Sequence, residues 1–122
     1  MNTEGLSVYK SSFALTKQLM SYSDNIVRKY RFGLYEQTIS MSLEVTDSIY
    51  AANIDFKSRY DALTKCLTLL GGIRSRVRIM GEMGILSPRM AAILMRMIED
   101  ISKQTGGWRK KSDNRQSRGG MF

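Results

Sequence analysis

Apolar residues recur at steps of three and four over four long stretches of this chain, with short polar turns between them. The first stretch predicts a helix over about residues 5–23. It carries two apolar lines, roughly 100° apart around the axis. Leu6, Tyr9, Phe13, Thr16 and Met20 form one, and Val8, Leu15, Leu19, Tyr22 and Ile26 form the other. Two arrangements fit. Either both lines make one broad core-facing stripe, or one faces the core and the other a neighbouring subunit. Ser23, Asp24 and Asn25 then mark a turn, because their side chains bond nearby backbone.

A second helix is predicted over about 30–52, with Phe32, Tyr35, Ile39, Leu43, Thr46, Ile49 and Tyr50 as its apolar face. Glu36, Glu44 and Asp47 lie on another side, and Asn53 is a suitable stop. Asp55 or Ser58 can cap a third helix over about 57–83. Its apolar line is Tyr60, Leu63, Leu67, Leu70, Ile73, Val77 and Met80. Gly71 and Gly72 interrupt it at about 1 kcal/mol each relative to alanine, which either close packing or a bend would explain. Gly84 suits the C′ position, where positive φ is common. Ser87 followed by Pro88 is an N-cap with proline at the first helical position.

The fourth helix is expected over about 88–108, with Met90, Leu94, Met97, Ile101 and Trp108 toward the core. From Lys111 the composition is too polar to offset its ordering entropy, which predicts a flexible basic tail over 111–122. Short loops make consecutive helices antiparallel neighbours. The predicted fold is all-α: an up-down-up-down antiparallel four-helix bundle over residues 1–110.

Charge changes the picture. Nineteen Lys and Arg stand against eleven Asp and Glu, giving a net charge of +8 and a pI near 9.9. Such a field suits a phosphate backbone. Histidine is absent, which removes Ser-His-Asp and Cys-His catalysis and the Glu-x-x-His ligands of di-iron bundles. One cysteine, Cys66, allows no internal disulfide and no structural zinc site. Its place beside Leu63 and Leu67 predicts a buried, inert thiol. We expect no enzyme activity and no cofactor or metal. Neither a signal peptide nor a membrane-spanning run is visible, which predicts a soluble, cytoplasmic protein without membrane attachment.

The cations fall into groups. Arg28, Lys29 and Arg31 flank the first turn, and Lys57 and Arg59 open the third helix. Arg74, Arg76 and Arg78 crowd its later half; Arg74 and Arg78 share a face, with Arg76 on another and only Glu82 as a nearby acid. Arg89, Arg96, Lys103 and Lys110 recur every seven residues, a step that drifts by only about 20° and so forms one line. Glu99 and Asp100 sit three or four residues from Arg96 and Lys103, predicting a salt-bridged middle section. Arg109, Lys110 and Lys111, with Arg115 and Arg118 beyond, face Asp113 alone and read either as an electrostatic arm or as a solubilising tail. Candidate nucleic-acid contacts are therefore Arg74, Arg78, Arg76, Arg28, Lys29, Arg31, Arg109, Lys110 and Lys111. No base-reading module and no aromatic platform in a basic groove are recognisable.

Several stretches together carry a resemblance. They are Tyr9-Lys10, Tyr30-Arg31-Phe32 with Glu36 and Ile39, and Ile49-Tyr50-Ala51-Ala52-Asn53. Arg74 and Arg78, the run Met83 to Arg89, and Ile98 to Gln104 leading into Gly106-Gly107-Trp108 complete the set. In order and spacing, over about Tyr9 to Lys111, the chain resembles the accessory variability determinant (Avd) proteins of diversity-generating retroelements. These belong to a wider group of four-helix-bundle proteins encoded by intervening sequences in bacterial large-subunit ribosomal RNA genes. The resemblance implies a ring-shaped homopentamer that associates with a reverse transcriptase and binds RNA or DNA, supporting mutagenic copying of a template RNA. The chain departs from the pattern where Ser23 to Val27 replaces a Phe-Pro, where Tyr35 replaces a small residue, and where Met stands for Leu in the core. The alternative reading is an interaction scaffold for an acidic protein partner; a peripheral membrane binder ranks last.

Overall fold

The computed structural model describes the backbone of residues 3–120 and the side chains of residues 3–113. It contains four packed helices: α1 (Thr3–Tyr22), α2 (residues 28–54), α3 (Arg59–Glu82) and α4 (Pro88–Gly120). Consecutive helices are neighbours and α1 also packs on α4, as in an up-down bundle. One end therefore holds the start of α1, the α2–α3 turn and the later part of α4. The α1–α2 and α3–α4 turns lie at the other end.

The core follows the predicted lines closely on α1 and α3, and on α4 at Leu94, Ile101 and Trp108, where Ile98 is buried and Met90 and Met97 are only partly so. Val8, Leu15 and Leu19 come from α1; Leu63, Cys66, Leu70, Ile73, Val77 and Met80 from α3; and Leu94, Ile98, Ile101 and Trp108 from α4. The two lines of α1 separate. The Val8 line is buried, whereas Leu6, Phe13 and Met20 are exposed.

Helix α2 departs from expectation. Phe32, Leu43 and Tyr50 lie outside, at 66%, 50% and 50% exposure. Thr38, Ser42, Val45, Ser48, Ile49 and Ala52 are buried in their place. The cause is small hydroxyl side chains that satisfy themselves locally and let two helices approach closely. The Thr38 hydroxyl donates to the Leu34 carbonyl at 2.8 Å and Ser48 to Glu44 at 2.9 Å. Across the seam Thr46 donates to the Ser12 hydroxyl at 3.0 Å, and the Thr16 and Ser42 hydroxyls are bonded to each other. The bulky residues flank this seam and are left facing outward.

The α1–α2 connection is built in three pieces. A 3-10 turn (Ser23–Asn25) leads to one α-helical turn (Arg28–Tyr30), and a π-helical turn (Arg31–Tyr35) follows before regular helix resumes. Tyr35 closes the π turn. It is fully buried, and its hydroxyl donates to the Leu19 carbonyl at 2.6 Å. Burial, with a smaller contribution from Tyr22, raises its pKa above the ordinary tyrosine range.

The other boundaries behave as the sequence implies. Asp55 accepts from the Lys57 amide at 3.0 Å and the Ser58 hydroxyl at 2.9 Å, so it ties the turn while Ser58 holds the N-cap position. The Ser58 hydroxyl and then the Lys57 amide lower the Asp55 pKa. Gly84, at φ +74°, ends α3 in a Schellman arrangement: its amide bonds Gly81 at 3.2 Å and the Ile85 amide bonds Met80 at 2.8 Å. The Ser87 hydroxyl caps α4 by accepting from the Met90 amide at 3.1 Å. Helix α3 runs unbroken through Gly71 and Gly72. A side chain at Gly72 would meet the Met41 methyl at 2.6 Å, whereas Gly71 faces open space.

Helix α4 does not stop at Trp108. Neither Gly106 nor Gly107 adopts positive φ, and no proline follows to end the helix. Ser112, one turn beyond Trp108, continues the buried face at 2% exposure, and Lys111 is ion-paired with Glu4 on α1. The expected tail thus begins as helix, which runs to Gly120; residues 121–122 lie outside the described residues.

Cys66 is buried, 3.9 Å from the Thr105 hydroxyl. Desolvation pushes its thiol up to about 11, against a weaker opposing pull from Thr105. The folded chain therefore holds this proton more tightly than the unfolded chain. That contribution is complete below about pH 9 and is lost as pH rises toward about 11. Native protein near pH 8 should react with Ellman's reagent only as fast as it unfolds, and denatured protein should release one thiol per chain at once.

Candidate nucleic-acid interface

The bundle sorts the cations by end. Arg28, Lys29 and Arg31 open α2, Arg76 and Arg78 lie near the close of α3, and Arg89 opens α4, so all six share the end formed by the α1–α2 and α3–α4 turns. Asp24, Glu36 and Glu82 are the acids there. Lys57, Arg59, Arg109, Lys110 and Lys111 occupy the opposite end.

Local contacts then decide which charges are already answered. Arg74 lies with its Nε 2.8 Å from Glu99 Oε1, off the hydrogen-bond axis, and its Nη2 reaches Ser102 at 3.5 Å. Its charge is compensated across the α3–α4 contact, correcting the expectation that only Glu82 was near. Arg78 pairs with Glu82 at 3.3 Å in the open, a contact weak in water. Arg76 turns the other way, as its register predicts, and donates to Gln37 at 3.2 Å and to the Gly72 carbonyl at 3.1 Å. Arg31 donates to the Asp24 and Ile26 carbonyls at 3.1–3.3 Å, bracing the first turn. Arg28 is exposed with no ion pair among the described residues, and the Lys29 ammonium sits 5.4 Å from the Tyr30 ring centroid.

Helix α4 shows the largest change from the sequence reading. Glu99 is engaged by Arg74, and Asp100 accepts from Gln104 at 2.9 Å. The predicted salt-bridged middle section is therefore absent. Arg89, Arg96, Lys103 and Lys110 are all exposed, and none is in an ion pair among the described residues. At 1.5 Å per residue their line is about 31 Å long. It joins the turn-end cations to those at the opposite end.

The sequence reading also missed a layered arrangement at the α2–α3 turn. The Arg59 guanidinium carbon lies 5.3 Å from the Phe56 ring centroid and 5.4 Å from that of Trp108, while its Nε donates to the Ala52 carbonyl at 2.7 Å. Arg109 sits 5.5 Å from the Tyr60 centroid and donates to Thr64 at 3.2 Å. Trp108 itself is buried, as an anchor should be, and its indole N–H has no acceptor among the described residues. The pairings Phe56-x-x-Arg59 and Trp108-Arg109 were the available signal, but only the fold brings α3 and α4 together there. Lys110 is exposed, and Lys111 is held by Glu4.

The remaining surface feature is apolar. Leu6, Phe13 and Met20 of α1 run beside Phe32, Leu43, Tyr50 and Ile54 of α2, all at least 42% exposed. Tyr9 links the two helices, with ring centroids 4.7 Å from Phe13 and 6.5 Å from Tyr50. Lys10 and Lys17 flank this strip on α1, and Glu36 and Asp47 on α2. Among the described residues no group of three His, Cys, Asp or Glu could hold a metal ion, and no helix is long and apolar enough to cross a membrane. No protein-family model, curated protein or solved structure matches this chain.

Proposed function

We propose that the chain is a non-catalytic, nucleic-acid-binding subunit of a homo-oligomer that works beside a reverse transcriptase, holding RNA or DNA by its phosphates. The observation that carries the binding is the unpaired line Arg89–Arg96–Lys103–Lys110. Charges without protein partners can neutralise phosphates without first breaking an ion pair, and releasing condensed counterions favours the complex. Four copies of one charge along one helix face offer no sequence readout, so RNA and DNA should both bind. The reverse transcriptase and the role in mutagenic copying of a template RNA rest on the Avd resemblance alone.

The apolar strip on α1 and α2 supports the oligomer, and the resemblance supplies five as the number of subunits. It favours the second arrangement of α1: the Val8 line toward the core and the Leu6 line toward another subunit. Light scattering at micromolar concentration should give a multiple of the 13.9 kDa chain; a stable monomer would remove this part of the reading. Leu43→Glu, an exposed change in the strip, should dissociate the oligomer with little loss of helicity.

Co-expression with a reverse transcriptase of a diversity-generating retroelement, followed by purification through a tag on the enzyme, tests the partner. The expected result is a complex that survives nuclease treatment. Absence of association with or without RNA would favour the scaffold for an acidic protein.

A further inference from the structure

We propose that the α2–α3 turn end, where Phe56, Arg59, Tyr60 and Arg109 are layered together, binds a single-stranded segment of nucleic acid, with bases on the rings and phosphates on the arginines. This rests on the nucleic-acid reading above and names the form of nucleic acid and the place.

The arginines are positioned before any ligand arrives. Arg59 is fixed by its Nε bond to Ala52 and by the Phe56 and Trp108 faces. That leaves its Nη donors without a protein partner among the described residues. Arg109 is fixed by Tyr60 and one bond to Thr64, leaving Nε and Nη2. A guanidinium already held in place loses less freedom on meeting a phosphate than an unsupported Lys or Arg does. Phe56 is 46% exposed beside these donors, and Tyr60 is half-buried. An exposed ring next to a fixed cation suits a base whose face is open, the arrangement used by single-strand binders. A duplex presents phosphates but hides its base faces within its own stack. The local acids do not occupy the arginines: Asp55 is held by Lys57 and Ser58, and Asp61 makes no ion pair among the described residues. Lys110, the last cation of the α4 line, lies next to Arg109 in sequence, so a strand following that line arrives at this cluster.

The test uses the full chain and fluorescence anisotropy with a labelled oligothymidylate and a duplex of equal length. The parent should bind the single strand more tightly. Phe56→Ala should weaken single-strand binding about tenfold while leaving duplex affinity within about twofold. Arg59→Lys keeps the charge but loses the planar stack, and should also lower single-strand affinity selectively. Circular dichroism should show unchanged helicity. If Phe56→Ala does not fold, Phe56→Leu keeps the apolar bulk without the ring and should show the same selective loss. A parent that prefers the duplex, or variants that lose both forms equally or neither, would overturn the proposal while leaving charge-driven binding intact. Polyglutamate that binds with the same dependence on Phe56 would overturn it in favour of an acidic polypeptide. Failure of the parent to bind either oligonucleotide would remove the nucleic-acid reading itself.

Discussion

Tyr35→Ala should cost about 3–5 kcal/mol, the range for deleting a buried aromatic ring. Against a typical total of about 5–15 kcal/mol, that is enough to leave a substantial unfolded fraction. The ring is fully buried where the π turn meets regular helix, and its hydroxyl fixes the end of α1 through Leu19. Tyr35→Phe keeps the ring and loses one hydrogen bond, so it should cost only about 1 kcal/mol. Urea denaturation followed by circular dichroism separates the two: both midpoints fall, with Ala far below Phe and unchanged slopes. Equal losses would mean that the hydroxyl, not the packing, holds the turn.

The triple substitution Arg89→Ala, Arg96→Ala and Lys103→Ala should lower affinity for RNA and DNA on the order of a hundredfold at low salt and flatten the salt dependence by roughly three units. All three side chains are exposed and in no ion pair among the described residues, so helicity should not change. Arg74→Ala with Arg78→Ala should do less, because Glu99 already answers the Arg74 charge and only Arg78, in a weak exposed pair, is left to meet phosphate. Filter binding at matched salt compares the two variants. If the Arg74 and Arg78 pair mattered more, the contact would lie on the α3 face.

Much of this fold was legible in the sequence because three helices bury branched and long apolar residues at regular steps. The caps were legible for the same local reason: Ser87 before Pro88 and Gly84 at C′ each solve a helix-end problem within a few residues. Helix α2 misled because periodicity weighs side chains by hydrophobicity. Its buried face includes Thr38, Ser42 and Ser48, small residues whose hydroxyls find partners on α1 or on their own helix, beside Val45, Ile49 and Ala52. Of its conspicuous apolar residues Tyr35 and Ile49 are buried, whereas Phe32, Leu43 and Tyr50 face outward.

The interface was legible only in part. Residue spacing correctly separated Arg76 from Arg74 and placed Arg89, Arg96, Lys103 and Lys110 on one exposed line. It could not show that Glu99 reaches across to α3, since the neighbours of a helix face depend on which helix packs there. That contact neutralises Arg74 and, with Asp100 bonded to Gln104, leaves Arg96 and Lys103 without an ion pair among the described residues. The Arg59 and Arg109 layers were invisible for the same reason: each needs α3 and α4 to be adjacent.

The central claim is that this surface holds nucleic acid by phosphate neutralisation, and a filter-binding titration of the full chain with labelled RNA at increasing salt tests it most directly. Log affinity should fall linearly with log salt between about 50 and 200 mM, with a slope near one unit per phosphate neutralised and similar values for RNA and DNA. No retention at the lowest salt, or an affinity indifferent to salt, would contradict the account and leave the acidic-partner scaffold in its place.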